Sequence, residues 1–300
     1  MQQGYKVSII TVNYNGLAYT CAFIDSIISN HIEAEVIVVD NGSKEDEAAI
    51  ISKRYPTVKA IRSDQNLGFA GGNNLGIEAS TGDYLLFLNN DTELKSDWNT
   101  DALICRLQSD EHIGMVCPKI RFAWDNCPIQ FVGYTPLSKI TMRNKGIGYG
   151  EEERGQYNTA HPTPYAHGAA MMAKREAIEK VGMMPDCYFL YYEEYDWSMM
   201  FRRAGYEIWY EPACTIYHKE SKSTGRNSAL KTYYITRNRL LYAKRNIPIY
   251  YRYLTYIYIG VIVALRDLFK YSIQKRKDLI GVMFMGINDF ICGRFGPRKI

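Results

Sequence analysis

Several signatures that would classify a protein at once are missing from this 300-residue chain. Its seven cysteines include no C-x-x-C pair, and an odd number without framework spacing indicates free thiols in a reducing compartment. No apolar signal-peptide region precedes the first strand pattern, so we expect a cytoplasmic protein. Internal repeats and low-complexity tracts are also lacking, and a hydrophobic content of 47% is enough for a substantial core.

The C-terminal part also lacks a stretch that suits a membrane span. The uncharged stretch Tyr253–Leu265 has 13 residues, and as a helix it would reach roughly 20 Å across the ~30 Å bilayer core. Its tyrosines and the flanking Arg252 and Arg266 are typical of a helix that lies in the membrane interface. A second apolar stretch, Leu279–Ile287, can pack on it or lie beside it. The alternative is a helical hairpin that caps the core of the main domain.

Charge is unevenly divided along the chain. Residues 1–218 carry 19 Lys and Arg against 28 Asp and Glu, a net charge of −9, whereas residues 219–300 carry 17 against 4, a net charge of +13. A basic tail on an acidic body indicates an anionic partner for the tail. Its aromatic residues lie within apolar runs rather than among base-reading polar residues, so we expect an anionic membrane surface and no nucleic acid.

Strand and helix patterns alternate over the first ~110 residues, which predicts a parallel sheet covered on both faces. The predicted strands are Lys6–Val12, Glu35–Val39, Val58–Arg62 and Tyr84–Leu88, and the helices between them are Leu17–Ser29, Glu45–Tyr55 and Phe69–Ser80. Residues 115–170 are rich in Gly, Pro and aromatics and give no clear elements. Further helices are predicted at Lys174–Val181, Tyr195–Ala204 and Ala229–Arg245.

Polar residues follow the predicted strands at their carboxyl ends, where open α/β sheets bind ligands. Asp91 ends the segment after Tyr84–Leu88, and its hard oxygen ligands suit Mg²⁺ or Mn²⁺ on nucleotide phosphates. Asp40 can accept hydrogen bonds from a base or a ribose, and Thr11 and Asn13 close the neighbouring strand. The alternatives are a polar turn for Asp91 and a helix cap for Asp40.

Three further motifs contain groups that could bind phosphate, act as a catalytic base or bind a metal. The Gly- and Asn-rich stretch Asn66–Asn74 enters a helix whose free N–H groups attract phosphate, although it is neither G-x-G-x-x-G nor a Walker loop. Three carboxylates lie close together in the chain at Glu193, Glu194 and Asp196. Repulsion between like charges raises the pKa of at least one of them, which suits a general base. The alternative is the first turn of a helix, where the helix dipole stabilises acidic residues. His218 is a candidate metal ligand or a structural histidine, and His167 is a weaker candidate for the acceptor side.

The order of these motifs resembles that of inverting glycosyltransferases of family 2, in particular the bacterial rhamnosyltransferase-like branch. The matching stretches cover most of residues 5–225, and they are specific together rather than singly. They are Val7–Gly16, Val36–Ser43, Asn66–Asn74, Gly82–Glu93, Gly168–Arg175, Tyr188–Gly205 and Tyr217–Ser223. The resemblance implies a GT-A fold, a Rossmann-like and mostly parallel sheet with flanking helices, that uses a nucleoside diphosphate sugar and a divalent metal, Mg²⁺ or Mn²⁺.

The resemblance also implies roles for single residues. Asp91 matches the metal-binding acid of a D-x-D-like motif, although Asn89 and Asn90 stand where further acids can occur, and His218 matches the metal-side histidine. Glu194 matches the catalytic base, which is usually Asp in the family, with Asp196 as the alternative base. The residues assigned to nucleotide-sugar binding are Thr11, Asn13, Asp40, Asn66, Gly68, Asn74 and Asn90.

The sequence therefore predicts an inverting glycosyltransferase that acts in bacterial cell-surface polysaccharide synthesis. Residues 1–225 would form the GT-A domain, and residues 226–300 a basic, aromatic-rich helical region that associates peripherally with the inner face of the cell membrane. A hydroxyl of a glycan or of a lipid-linked molecule would be the acceptor. Two alternatives remain, a sugar-nucleotide pyrophosphorylase and a non-catalytic membrane-associated nucleotide-binding module. The first is disfavoured because Ile9–Gly16 lacks its Gly-rich basic loop.

Overall fold

A computed structural model describes residues 5–124, 126–220 and 228–300. Its strands are β1 Val7–Asn13, β2 Glu35–Asp40, β3 Lys59–Arg62, β4 Tyr84–Leu88, β5 Thr92–Glu93, β6 Ile113–Phe122, β7 Ile129–Phe131, β8 His161–Pro162, β9 Ala170–Lys174 and β10 Glu207–His218. The helices are α1 Leu17–Ser29, α2 Glu47–Arg54, α3 Gly68–Ala79, α4 Thr100–Gln108, α5 Arg175–Val181, α6 Glu193–Arg203, α7 Ala229–Asn246, α8 Ile249–Ile257, α9 Ala264–Ile273 and α10 Lys277–Ile291. A 3₁₀ turn at Asp186–Tyr188 precedes α6, and π-helical turns at Tyr258–Val263 join α8 to α9.

One mixed sheet organises the molecule, in the strand order β3-β2-β1-β4-β9-β6-β10-β5. The pairs β3–β2, β2–β1, β1–β4 and β6–β10 are parallel, whereas β9 and β5 run antiparallel to their neighbours. Asn13 pairs with Asp40 at the ends of β1 and β2. The carboxyl ends of the parallel strands therefore lie level along one edge, which is the ligand-binding edge of such sheets.

The central strands are buried on both faces. All five residues of β4 and all five of β9 are buried, and the apolar runs of β1 and β2 are nearly so. The indole of Trp197 on α6 packs edge-on against Phe87 of β4, with ring centroids 5.4 Å apart. Because helices cover both faces, the strands are continuous apolar runs rather than alternating patterns.

The structure confirms the α/β fold predicted from the sequence. The segment that gave no clear elements, residues 115–170, contains most of the ten-residue strand β6 and the strand β7. Pro118 lies within β6, and the register between β10 and β6 shifts after Glu211, next to Pro212. Proline cannot donate to a strand ladder, so such patterns argue against a strand from sequence alone.

The C-terminal helices pack on the main body, as the helical-hairpin alternative predicts, and interfacial membrane binding stays a prediction. Their inner face packs on the main body in a cluster that joins Leu241 and Tyr242 of α7 to Tyr188 and Met142. Their outer face leaves many apolar side chains exposed. Within the described residues no helix is both long and apolar enough for a membrane span. The domain boundary predicted at residue 225, and the end of the matching stretch Tyr217–Ser223, lie outside the described residues.

Candidate active site

Asp91 and His218 meet at the carboxyl edge of the sheet because β5 pairs with the end of β10. His218 lies opposite Thr92 in this antiparallel ladder, and the backbone N–H of Lys219 donates to the carbonyl oxygen of Asp91. His218 Nε2 then lies 3.1 Å from Asp91 Oδ1, and both side chains are largely buried. Residues 127 positions apart in the chain are thus brought into contact by a two-residue strand.

The contacts of His218 indicate how this pair can hold a cation. Gln130 Oε1 lies 2.8 Å from His218 Nδ1 and can only accept, so Nδ1 carries the proton in the neutral ring. Nε2 then directs a lone pair at the Asp91 carboxylate, an arrangement that is attractive only with a proton or a cation between them.

The donor set of this pair is small. Among the described residues, no group of three or more His, Cys, Asp and Glu side chains could hold a metal ion. Asp91 and His218 would therefore supply two ligands to a metal, one oxygen and one imidazole nitrogen, and phosphate oxygens and water would complete the shell. This is the usual way in which Mg²⁺ and Mn²⁺ bind at nucleotide sites.

His167 and Gly168 connect this pair to Glu194. The His167 ring lies 6.5 Å from that of His218, and Tyr134 stacks on it with ring planes 10° apart. Burial, reinforced by His218, lowers the pKa of His167 to about 3, so its imidazole is neutral. A Cβ on Gly168 would lie 3.9 Å from Glu194 Cγ. The glycine leaves space beside the carboxylate at this point.

Glu194 lies in the first turn of α6 in an environment that disfavours its charge. Burial raises its pKa to about 7, against 4.5 for an ordinary Glu. The neighbouring Glu193 is buried, and burial and the Glu194 charge raise its pKa well above the usual value. Within the described residues Glu193 Oε2 has no hydrogen-bond partner. A carboxylate with a pKa near 7 can both take and release a proton at neutral pH.

The loop before α6 has an unusual backbone that is held from two sides. Three of its residues, none of them glycine, have left-handed backbone angles: Phe189 (φ 67°), Tyr191 (φ 69°) and Tyr192 (φ 79°). From one side, the N–H of Phe69 donates to the carbonyl oxygen of Phe189 at 2.8 Å. Gly68 has φ +75°, and a Cβ there would lie 2.1 Å from the same oxygen, so only glycine fits.

From the other side, the fully buried Arg237 and Asn238 of α7 hold the same loop. The Asn238 amide donates to the carbonyl oxygens of Leu190, Tyr191 and Tyr188, at 2.7, 2.9 and 3.0 Å. Arg237 Nη2 also donates to Tyr188, at 2.7 Å. Backbone strain of this kind persists only where the surroundings over-determine it. The C-terminal region is therefore part of the structure that positions Glu194.

On the nucleotide side, Asp40 is fully buried and its carboxylate is already engaged. Arg62 Nη1 lies 2.9 Å from Asp40 Oδ2, and the backbone N–H groups of Ser43 and Ala48 also donate to the carboxylate. The side chain of Arg62 is 31% exposed, so it covers Asp40 at the surface. The sequence did not point to Arg62, which lies opposite Asp40 only through the β2–β3 register.

The residues of β1 and of the segment after β4 that were predicted to bind the nucleotide sugar form one hydrogen-bonded network. Asn13 donates to Glu47 Oε2 at 2.6 Å and accepts from Thr20, and Asn90 donates to Thr20 at 2.9 Å. Thr11 is fully buried, and among the described residues its hydroxyl has no partner. Asn66 accepts the N–H of Gly68 at 2.8 Å.

Two predicted site residues are engaged in structural contacts. The Asn74 amide pairs with both backbone groups of Met184, at 2.9 and 3.1 Å, and so ties α3 to the segment before the 3₁₀ turn. Asp196 is fully buried, with its carboxylate bonded to Arg245 and Asn246 at the end of α7.

Gln130, Arg237 and Asn238 were not predicted as site residues. The one available signal was that Arg237 occupies an apolar helix position, four residues after Tyr233 and four before Leu241.

Two sequence relatives cover most of the chain. The low-salt glycan biosynthesis hexosyltransferase Agl10 of Haloferax volcanii is 28% identical over 240 residues, which span 78% of this chain and 74% of that protein. An N-acetylglucosaminyl-diphospho-decaprenol L-rhamnosyltransferase of Mycobacterium tuberculosis is 24% identical over 242 residues, spanning 74% of this chain and 78% of that protein.

Solved structures share the fold at low sequence identity. The mannosyltransferase PcManGT of Pyrobaculum calidifontis, in complex with GDP-Man and Mn²⁺, superposes with a TM-score of 0.56 at 14% identity, covering 97% of this chain and 76% of that one. GalNAc-T7 with UDP, GalNAc and Mn²⁺ gives 0.56 at 18% identity over 73% of this chain, which spans only 44% of GalNAc-T7. The sheet and its flanking helices are thus those of the GT-A glycosyltransferases. The family model "Glycosyl transferase family 2" matches residues 8–182, more than half of the chain, and this protein therefore belongs to glycosyltransferase family 2.

Proposed function

We propose that this protein is an inverting glycosyltransferase that moves a hexosyl or deoxyhexosyl group from a nucleoside diphosphate sugar to a hydroxyl of a glycan or lipid-linked acceptor in cell-surface polysaccharide synthesis. The observation that carries the proposal is the placement of Glu194, with its pKa near 7, across His167 and Gly168 from the Asp91–His218 pair. The Haloferax and Mycobacterium relatives, named as a hexosyltransferase and as a rhamnosyltransferase of N-acetylglucosaminyl-diphospho-decaprenol, support it.

In the proposed reaction Glu194 is the general base. Its carboxylate takes the proton of the acceptor hydroxyl while that oxygen attacks the anomeric carbon, and the bond to the diphosphate oxygen breaks on the opposite face. One displacement of this kind inverts the configuration. Asp196 is the weaker candidate, because its carboxylate is fully buried and bonded to Arg245 and Asn246. A positioned base contributes on the order of 10²–10⁴-fold to the rate.

Asp91 and His218 are proposed to hold Mg²⁺ or Mn²⁺ together with the donor diphosphate. The bound cation would neutralise the charge that develops on the departing diphosphate. Gln130 orients the His218 ring for this role. Two solved structures with the same fold contain Mn²⁺ beside a nucleotide or a nucleotide sugar, which supports a divalent ion in this protein.

The nucleotide is proposed to bind along the carboxyl ends of β1 and β2. Arg62 and Asp40 form a buried ion pair whose guanidinium reaches the surface, so Arg62 would meet the base or ribose and Asp40 would orient it. Asn13, Asn90 and Thr11, whose hydroxyl has no partner in the described part of the chain, lie along the same edge, as does the turn of Asn66 and Gly68 that opens α3. Asn74 would support this turn through its bonds to Met184.

The C-terminal helices are proposed to bring the enzyme to the cytoplasmic face of the membrane. Along the continuous helical segment 249–273 the exposed apolar residues recur every three or four positions, so they form one stripe. They are Ile249, Tyr250, Tyr253, Leu254, Ile257, Val261, Ile262, Leu265, Phe269 and Ile273, and we call them the apolar stripe. Together with the net charge of +13 on residues 219–300, this is the composition of a helix that lies in an anionic interface.

Transfer of isotope from donor to acceptor tests the function. Purified protein is incubated with labelled sugar nucleotides and a membrane lipid extract, and the label is followed from the aqueous to the lipid phase. We expect transfer, and an anomeric configuration in the product, read by NMR, opposite to that of the donor. Donor binding without transfer would support a nucleotide-binding module instead. Formation of a sugar 1-phosphate with uptake of pyrophosphate would support a pyrophosphorylase.

A further inference from the structure

A cavity of about 230 Å³ lies between α7, the π-helical turns, α9 and α10. Its floor is apolar, formed by Ile259, Val263 and Met283, and its rim carries the basic side chains of Lys231, Arg239 and Arg266. Sites for drug-sized ligands occupy roughly 300–1,000 Å³. This cavity therefore suits a compact anion rather than a whole sugar nucleotide.

Two of the three rim cations lack a counter-ion among the residues that the structure describes. Arg266 is neutralised by Asp267, at 2.7 Å, whereas Lys231 and Arg239 form no ion pair within the described part of the chain. Arg239 Nε is buried and, among the described residues, has no hydrogen-bond partner. Buried donors are almost always satisfied, so the Arg239 guanidinium has donor capacity left that a shift of its side chain could offer to a ligand.

The cavity lies against the catalytic loop. The two faces of α7 differ, because Arg237 and Asn238 hold the loop carbonyls whereas Lys231 and Arg239 line the cavity. Lys231 Nζ lies 5.8 Å from the centre of the Tyr191 ring. Burial raises the pKa of the Tyr192 hydroxyl and Arg239 acts against it, which places the guanidinium beside a residue two positions before Glu194. An anion in the cavity would thus be held beside Tyr191 and Tyr192, in the loop that leads to the proposed base.

The cavity also opens among the helices that carry the apolar stripe. Its lining residues Ile259, Val263 and Ala264 lie on the inner face of the helical segment whose outer face carries the exposed Val261, Ile262 and Leu265. A ligand with an anionic head and a long apolar chain can satisfy both features at once. Two uncompensated cations match the two charges of a diphosphate diester, whereas an ordinary phosphodiester lipid carries one.

We infer that this cavity binds the diphosphate headgroup of a lipid-linked acceptor, with Lys231 and Arg239 on the phosphate oxygens and the lipid chain along the apolar stripe. This inference rests on the proposed transfer to a lipid-linked acceptor and adds the place where that acceptor is held. The sugar attached to the diphosphate would extend past Tyr192 toward Glu194, which orders the headgroup, the reacting hydroxyl and the base along one line.

Binding to vesicles of defined composition tests the inference. Phosphatidylcholine vesicles that contain a polyprenyl diphosphate are compared with vesicles that contain phosphatidylglycerol at equal total charge. We expect the full-length protein to bind the diphosphate vesicles at least tenfold more tightly. Arg239→Gln and Lys231→Gln should each lose about tenfold on these vesicles, because each removes a charged hydrogen bond. Lys244→Gln, the same charge change on an exposed part of α7 outside the cavity, should change binding less than twofold.

Each other outcome overturns the inference. Equal binding to both kinds of vesicle, or equal losses in Arg239→Gln and Lys244→Gln, would mean that the cavity contributes only to general charge attraction. Competition by free pyrophosphate as strong as that by the lipid would identify a soluble diphosphate as the occupant. Far-UV circular dichroism and thermal unfolding verify that each variant is folded. If Arg239→Gln unfolds, Lys231→Gln, at a partly exposed position, still tests the inference.

A parallel measurement separates this inference from the proposed function. Thermal stabilisation by sugar nucleotides should be the same in wild type, Arg239→Gln and Lys231→Gln, because these residues lie on the acceptor side. In transfer assays the two variants should raise KM for the lipid acceptor and leave KM for the donor unchanged. Absence of donor binding in wild type would reject the proposed function itself, whatever the vesicles show.

Discussion

The side-chain amide of Asn238 donates to the carbonyl oxygen of Leu190 at 2.7 Å, and this contact joins the C-terminal helix α7 to the loop that leads into the proposed catalytic base. The same amide reaches Tyr188 and Tyr191. Polar groups that are fully buried and fully satisfied rigidify their surroundings. The basic tail thus has two separable tasks, because one face of α7 shapes the catalytic loop and the outer helices present an apolar surface.

Replacing Asn238 should therefore impair catalysis more than binding. Asn238→Ala removes the donors of three loop carbonyls, so we expect kcat to fall about 10–100-fold, since a misplacement near 1 Å can cost 10²-fold. Donor binding, measured by calorimetry, should change little, and the free energy of unfolding should drop by about 1–3 kcal/mol. Asn30→Ala is the matched control, because Asn30 also donates to two carbonyl oxygens but joins α1 to Leu94. Equal kcat in the two variants would refute the positioning role of Asn238.

The pH profile should report the ionisation of Glu194. With a pKa of about 7 in the folded protein, the carboxyl group is protonated below that pH and becomes a competent base above it. We therefore expect kcat/KM to rise with pH through about 7 and then to level off, as a free-enzyme base requires. Glu194→Gln should lower kcat by ~10²–10⁴-fold and remove the rise of kcat/KM near pH 7, with donor binding retained.

Asp196→Asn distinguishes the two candidate bases. This change weakens the contact with Arg245 but leaves the Glu194 carboxylate in place, so it should reduce stability and keep the rise near pH 7. Normal turnover in Glu194→Gln together with loss of turnover in Asp196→Asn would reverse the assignment.

Metal affinity should depend on Gln130, which is not itself a ligand. Activity should disappear in EDTA and return with Mg²⁺ or Mn²⁺, and Asp91→Asn or His218→Ala should prevent the recovery. Gln130→Leu removes the acceptor that fixes the His218 ring, and such changes typically weaken metal binding 10–100-fold. Titration of Mn²⁺ followed by electron paramagnetic resonance measures this without reference to turnover. Gln130→Glu retains an acceptor oxygen and should bind Mn²⁺ at least as well as wild type. Full activity in chelator would mean that no metal is needed.

Much of the fold follows from local patterns. The helix predicted at Leu17–Ser29 and the strand predicted at Tyr84–Leu88 have these bounds in the structure, because apolar periodicity and breakers such as Gly16 and Asp83 act over a few residues. Strands β6 and β10 were not predicted because Pro118 and Pro212 interrupt their strand patterns. The parallel pairing of each strand with its neighbour compensates for this interruption. That compensation is a property of the folded sheet.

The residues of the candidate site divide in the same way, into those predicted from local motifs and those positioned by the folded sheet. Asp91, His218 and Glu194 were predicted as site residues from motifs and the family resemblance, and the structure brings Asp91 and His218 into contact. The partners that define their chemistry come from register and long-range packing, as Arg62 does for Asp40 through β2–β3 pairing and Gln130 for His218. Such partners carry no motif of their own, so their positions are known only once the sheet is assembled.

The apolar stripe should determine membrane binding without being needed for the fold. Because α7 and α10 pack on the main body, deleting the tail would disturb the catalytic loop, so surface substitutions are the sharper test. Leu265→Glu and Phe269→Glu place charges at positions that are 60% and 70% exposed. We expect this double variant to keep its thermal stability and its binding of sugar nucleotides but to remain in the supernatant when sedimented with anionic liposomes. Wild type should sediment at low salt and less at high salt, since salt screens the basic residues. If wild type stays in the supernatant at both salt concentrations, the stripe is an interface for another protein chain, and size-exclusion chromatography of wild type and the double variant would then show whether a second copy covers it.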